Sequence, residues 1–286
     1  MSGMGYRWRY LDVDLDDGRT VVAVVFDRFP FLPGKTDPAL QLDVYDAGRR
    51  VLSVMAIGPP TWALDGSRLE VDAWAPFPGI AVKGTVEVEG KSASMTQDLA
   101  GHRWELLVPR GRGKVSIGAV DGVGTGYADG NEDDRPMTDA LRSWVWARVH
   151  GPDGTRIAYR VDGRDGAAKG VFVRTDGDGT VVECADADVR MEGPRWPSAF
   201  GIPLSRRLRA SDWSIELGRP CLTAPFYVRM PTEPRGLAEI GRPRAITWPV
   251  VRHLVAMRPT GTGPDPVDGN RVLHKAERAF LGGRRR

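Results

Sequence analysis

The chain has 286 residues, 41% of them hydrophobic, and a formal net charge of +3. That length suits one large or two ordinary domains with packed cores. The near-balanced charge argues against a nucleic-acid partner, and two cysteines, Cys184 and Cys221, make no disulfide framework. Both cysteines sit in strand-like stretches and read as buried. The opening MSGMGYRWRY is too polar for a secretion signal, and no run reaches the roughly 18 apolar residues of a membrane span. The expectation is a cytoplasmic protein, with transient membrane contact as one route to a hydrophobic ligand.

In chain order, residues 20–26 (TVVAVVF) form an apolar run of strand length. Residues 40–45, 68–73 and 80–89 alternate apolar and polar positions, the period of half-buried strands in antiparallel sheets. Asp-Gly recurs at residues 17, 65, 121, 129, 153, 162, 165, 176, 178 and 268, which suggests type I′ hairpin turns. The 35 glycines and 22 prolines leave little room for long helices. One helix is expected at 270–281, where Val272, Leu273, Ala276 and Phe280 share a face. The Arg284-Arg285-Arg286 ending reads as a solvated tail. An acidic loop at 129–141 divides strands of comparable spacing, with no repeat visible in the sequence. The economical reading is all-β: two antiparallel barrel or sandwich domains, 1–140 and 141–286, with a short C-terminal helix.

Nine tryptophans are many for this length. Each is first a core anchor, but tryptophan also holds flat or polyene-like ligands and stabilises positive charge at its face. In a strand, Trp144-x-Trp146-x-Arg148 puts three large groups on one face. That makes a pocket wall.

The segment Gly124–Asp134 is the most unusual. Clustered carboxylates raise one another's pKa, and an apolar cavity raises it further, which suits a general acid. Asp129, between Tyr127 and glycines, reads as an inward turn; Glu132, Asp133 and Asp134 read as solvated. The Asp129-x-Asn131-x-Asp133 start of a calcium loop fails, because Asp134 and Ala140 stand where glycine and glutamate are required. No metal site is expected, since His102, His150, His253 and His274 lack zinc spacing. There is no P-loop, dinucleotide fingerprint or Gly-x-Ser-x-Gly.

Two blocks resemble the carotenoid 1,2-hydratase (hydroxyneurosporene synthase) family. The first is Gly5-Tyr6-Arg7-Trp8-Arg9-Tyr10-Leu11-Asp12 with Asp17-Gly18 and Phe29. The second runs from Trp104 through Gly124-x-Gly126-Tyr127-x-Asp129-x-Asn131 to Trp144-x-Trp146-x-Arg148. It is similar to the family's Gly-Tyr-His-Asp-His-Asn-Trp-Gly and Trp-x-Trp-Gly-Arg. The resemblance implies two lipocalin-like domains and proton-initiated, cofactor-free chemistry on an isoprenoid double bond. Lipocalin-like Diels–Alderases look like remote relatives. Ala128 and Gly130 replace histidines flanking the family's aspartate. The family's downstream Tyr-x-Asp is matched only by Tyr159 with Asp162, one residue too far apart.

These readings converge on a hydrophobic small-molecule substrate, an isoprenoid or polyene. Asp129 or Asp162 is the expected acid, with Tyr127 and Tyr159 beside it; Trp104, Asn131, Trp144, Trp146 and Arg148 hold the substrate. Without the flanking histidines to orient water, cyclisation or isomerisation is favoured over hydration. A pericyclase and a non-catalytic carrier are the alternatives.

Overall fold

The computed structural model describes residues 5–28, 37–57, 62–75, 80–196, 202, 204–224 and 227–243. The helix expected at 270–281, the basic tail, Phe29, Trp248, His253 and His274 lie outside them. Twenty strands and one short helix make up the described fold. The first set is β1 (Tyr6–Leu15), β2 (Thr20–Phe26), β3 (Ala39–Asp46), β4 (Arg49–Ile57) and β5 (Trp62–Asp65). It continues with β6 (Arg68–Ala75), β7 (Ile80–Gly90), β8 (Met95–Leu99), β9 (His102–Ile117) and β10 (Val120–Asp133). A one-turn helix, α1 (Met137–Ala140), leads into β11 (Leu141–Gly151), β12 (Gly154–Gly163), β13 (Ala168–Thr175), β14 (Val181–Asp186) and β15 (Val189–Trp196). The last five are β16 (Leu204–Ala210), β17 (Trp213–Leu217), β18 (Cys221–Ala224), β19 (Tyr227–Glu233) and β20 (Gly236–Gly241).

These strands form two 10-stranded antiparallel sheets of one topology. The first runs β4-β3-β2-β1-β10-β9-β7-β6-β5, with β8 beside β9; adding ten to every label gives the second. The structure thus holds a repeat that the sequence does not show. Each sheet curls over an apolar core of its own, Leu11, Val13 and Leu40 in the first and Leu208, Val228 and Ile240 in the second. The opposite faces of β1 and β10 meet the faces of β11, β12 and β20, and a third cluster fills the space between the sheets. Strand alternation produces this double use, because successive side chains serve opposite faces.

The turns differ from the type I′ expectation. At Asp17-Gly18, Asp165-Gly166 and Asp178-Gly179 the glycine alone has positive φ, at 98°, 91° and 83°. Backbone bonds close a type I turn, as in Gly18 N–H to Leu15 C=O, and the glycine takes the left-handed position of a bulged hairpin. Positive φ at both positions occurs instead at Ala47-Gly48 and Ala100-Gly101. Asp121-Gly122, Asp129-Gly130 and Asp162-Gly163 are not turns at all, because they lie inside β10 and β12. Cys184 corrects another expectation: β14 ends one sheet path, and this cysteine is exposed there rather than buried.

A candidate acid site between the sheets

The site begins with β1. Tyr6, Trp8, Tyr10, Asp12 and Asp14 share the face turned to the second sheet, and all are buried. Antiparallel pairing with β10 sets Tyr10 opposite Asp129, Trp8 opposite Asn131 and Asp12 opposite Tyr127. On the far side, β9 brings Trp104 opposite Asn131 and Leu106 opposite Asp129, with a register shift at Ala128. Asp129 is therefore in a central strand, between Tyr10 of β1 and Leu106 of β9, not in a loop.

Its carboxylate is held entirely by neutral donors. Tyr127 Oη donates to Oδ2 at 2.7 Å and Trp104 Nε1 donates to the same oxygen at 3.0 Å. Asn131 Nδ2 donates to Oδ1 at 2.9 Å. Among the described residues, every other buried carboxyl has an arginine: Asp12 and Asp14 share Arg148, Asp43 has Arg229 and Asp133 has Arg135. Burial pushes the Asp129 carboxyl up to about 7, against the lowering effect of Tyr127 and Trp104. Two donors fill the lone pairs of Oδ2, so Oδ1 has the position open to a proton.

A second group lies behind Asn131. His102 Nε2 is 2.9 Å from Asn131 Oδ1, and Tyr159 Oη donates to that oxygen at 3.0 Å. Asn131 gives its amide hydrogens to Asp129, so its oxygen accepts and His102 carries its proton on Nε2. His102 Nδ1 then accepts from Tyr6 Oη at 2.7 Å. Burial lowers the imidazole to about 4, which leaves it neutral near pH 7.

The second sheet supplies the facing wall. Trp146 lies 5.1 Å from Tyr10 and 5.5 Å from Tyr127, centroid to centroid. Beside this group is a cavity of about 30 Å³, room for a water or two. Trp8, Tyr10, Val24 and Phe26 line it from the first sheet. Met137, Trp144, Tyr227 and Glu239 close it from the other side. Asp129 is not in the lining; its cross-strand neighbour Tyr10 is. Tyr10 Oη and Trp146 Nε1, both buried, make no well-formed hydrogen bond, although Tyr10 lies near enough to Asp12, and Trp146 to Tyr127, to lower the pKa of each; water or a ligand can satisfy such groups more fully.

Of the residues singled out in the sequence, Trp104, Tyr127, Asp129, Asn131 and Tyr159 are joined by hydrogen bonds. Trp146 packs against them and Trp144 lines the cavity. Arg148 is elsewhere: its guanidinium is spent on Asp12 at 2.6 Å and Asp14 at 2.5 Å, a buried bridge between the sheets. Asp162 is also apart. It points with Arg160, its ion-pair partner at 2.9 Å, to the face opposite Tyr159. The residue two beyond Tyr159, sharing its face, is Val161, which is apolar and buried.

Ala128 and Gly130 face away from the carboxyl. Ala128 belongs to the first sheet's own core, and a side chain at Gly130 would strike Arg9. Sequence reasoning missed His102, Tyr6, Tyr10 and Glu239. Of these, Tyr6 and Tyr10 stood in the Gly5–Asp12 block that carries the family resemblance, without a role attached. Three of His, Cys, Asp or Glu nowhere converge to hold a metal among the described residues, and no described helix is long and apolar enough to cross a membrane.

Two curled antiparallel sheets packed face to face define a lipocalin-like protein. Solved structures share this fold at low identity. A putative AttH from Nitrosomonas europaea aligns with TM-score 0.53 and 12% identity over 84% of this chain and 93% of its own. CghA with Sch210972 gives 0.57 and 12% over 83% and 88%. Kievitone hydratase from Nectria haematococca gives 0.51 and 10% over 84% and 89%. Residues 45–240 match the family model of carotenoid hydratase CrtC. The acyclic carotenoid 1,2-hydratase of Thiocapsa roseopersicina is 31% identical over 81% of this chain. The chain belongs to the carotenoid hydratase CrtC family. It spans 65% of the length of that curated relative.

Proposed function

We propose that the protein adds water to a trisubstituted double bond of an acyclic isoprenoid, with Asp129 as the proton donor. One observation carries the reading: Asp129 is a buried carboxyl with only neutral partners, held up to about 7 beside an aromatic cluster. A carboxyl so placed keeps its proton near neutral pH. Transfer to the less substituted alkene carbon leaves a tertiary cation. The faces of Tyr10 and Trp146 suit that charge, and capture by water gives the alcohol. The proton comes from a side chain and the oxygen from water, so the step calls for no cofactor.

Hydration is preferred to cyclisation on structural grounds. The departures at Ala128 and Gly130 concern positions on the other side of the strand, so they remove nothing from this site. His102 supplies an imidazole from a different strand. The cavity admits water but not a chain, so the substrate's end must part the rings around Tyr10 and Trp146.

Incubation in D₂O with a panel of acyclic isoprenoids, followed by mass spectrometry, tests the proposal. The expected product has gained water and one carbon-bound deuterium, and Asp129→Asn forms it roughly 10²–10⁴ times more slowly. Rearranged product without deuterium, formed equally by Asp129→Asn, would point to an acid-free pericyclic reaction. Ligand bound and recovered unchanged would mean a carrier. Either result overturns the proposal.

A further inference from the structure

Glu239 stands at the place in the second sheet that Asp129 holds in the first. In the shared topology β20 corresponds to β10 and β11 to β1. Asp129 lies opposite Tyr10, and Glu239 lies opposite Trp146. Tyr10 and Trp146 touch across the sheets at 5.1 Å, so the two carboxyls flank one aromatic pair. Glu239 also lines the cavity. Its contacts with Arg229 both fall on Oε1, from Nε at 2.6 Å and Nη2 at 2.5 Å. Neither contact occupies Oε2. Burial raises the Glu239 carboxyl above the ordinary glutamate value, and the Arg229 guanidinium opposes that rise with a cation that Asp129 lacks.

We infer that Glu239 is the base of the hydration: it holds the attacking water in the cavity and takes its proton. This rests on the reading of Asp129 as the acid. Asp129 gives its proton to the alkene carbon, and the water oxygen bonds to the cationic carbon. The water's proton passes to Glu239 Oε2 and returns through solvent to Asp129. One alkene and one water become one alcohol, and both carboxyls are restored.

If water capture fails, the cation can only return to alkene by giving a proton, or the deuteron just received, back to Asp129. In D₂O that washes deuterium into recovered alkene. The test is the ratio of hydrated product to deuterium-exchanged alkene, measured for the full chain and for Glu239→Gln and Glu239→Asp with whichever isoprenoid the parent hydrates. Glu239→Gln is expected to lower that ratio at least tenfold while exchange continues, with Glu239→Asp in between. A fold defect lowers both quantities together and cannot imitate this. An unchanged ratio in both variants overturns the role of Glu239 and leaves Asp129 as the acid. Absence of both hydration and exchange by the parent chain across the whole isoprenoid panel would instead remove the reading of Asp129.

Discussion

Asp129 and Glu239 occupy corresponding places in two sheets of one topology, yet their surroundings differ in kind. Each lies on the inner face beside a β1-type strand with an aromatic residue opposite. The difference comes from the strand on the other side. There β9 sets Leu106 against Asp129, whereas β19 sets Arg229 against Glu239. Arg229 also reaches Asp43 at 2.7 Å, and its guanidinium lies 5.7 Å from the Tyr45 ring. One neighbouring side chain thus separates a buried carboxyl that has a cation to pair with from one that has only neutral donors. Buried ion pairs offset the cost of desolvation by mutual attraction, while at Asp129 that cost takes the form of a carboxyl pushed up to about 7.

The largest expected effect breaks the paired side. Arg229→Met leaves Asp43 and Glu239 buried without their cation, and should destabilise the fold by about 3–5 kcal/mol in urea unfolding. A loss below about 1 kcal/mol would mean that the bridge does little to hold the sheets together. The next concerns pH. As the proposed donor, Asp129 would act only while protonated, and burial pushes its carboxyl up to about 7. Activity should therefore fall as pH rises through 7, approaching about tenfold per unit on the alkaline side. A rate that is flat or rising from about pH 7 to 9 would contradict the acid role.

The smallest effect compares two tyrosines that face the cavity. Tyr10 Oη makes no well-formed hydrogen bond and has only a weak contact with Asp12, so Tyr10→Phe should change stability by about 0.5 kcal/mol, the low end for one hydrogen bond. Tyr227 Oη donates to buried Gln41 Oε1. Tyr227→Phe should cost about 1–3 kcal/mol by leaving that oxygen unsatisfied. Equal costs for the two would mean that the hydroxyls are not distinguished by their bonds.

Much of the fold was legible because most strands keep ordinary polarity. Val82, Val86 and Val88 alternate with polar residues and lie in a core; Leu40, Leu42 and Val44 do as well, though Gln41 and Asp43 between them are also buried, where they meet the second sheet. The candidate site was harder to read where that polarity inverts. Asp129, Asn131 and Asp133 occupy the buried face of β10, so a strand of 14 residues looks in sequence like the start of a solvated acidic loop. Asp-Gly added to the error, since the same dipeptide serves hairpins at Asp17 and strand interiors at Asp129 and Asp162. His102 was out of reach for another reason. It joins the site through the β9–β10 pairing and a bond to Asn131, and a register across strands leaves no local mark. The same holds for Arg148: Trp-x-Trp-x-Arg gives its face correctly, but not that Asp12 and Asp14 wait opposite.

The most direct test of the account is the protonation of Asp129 itself. Side-chain carboxyls can be followed by ¹³C NMR in the full chain labelled at aspartate, with Asp129→Asn identifying the resonance. The expected midpoint is near 7, well above the ordinary value of about 3.9 for aspartate. A midpoint at or below that ordinary value would show an ionised carboxylate at neutral pH, and Asp129 could not be the proton donor.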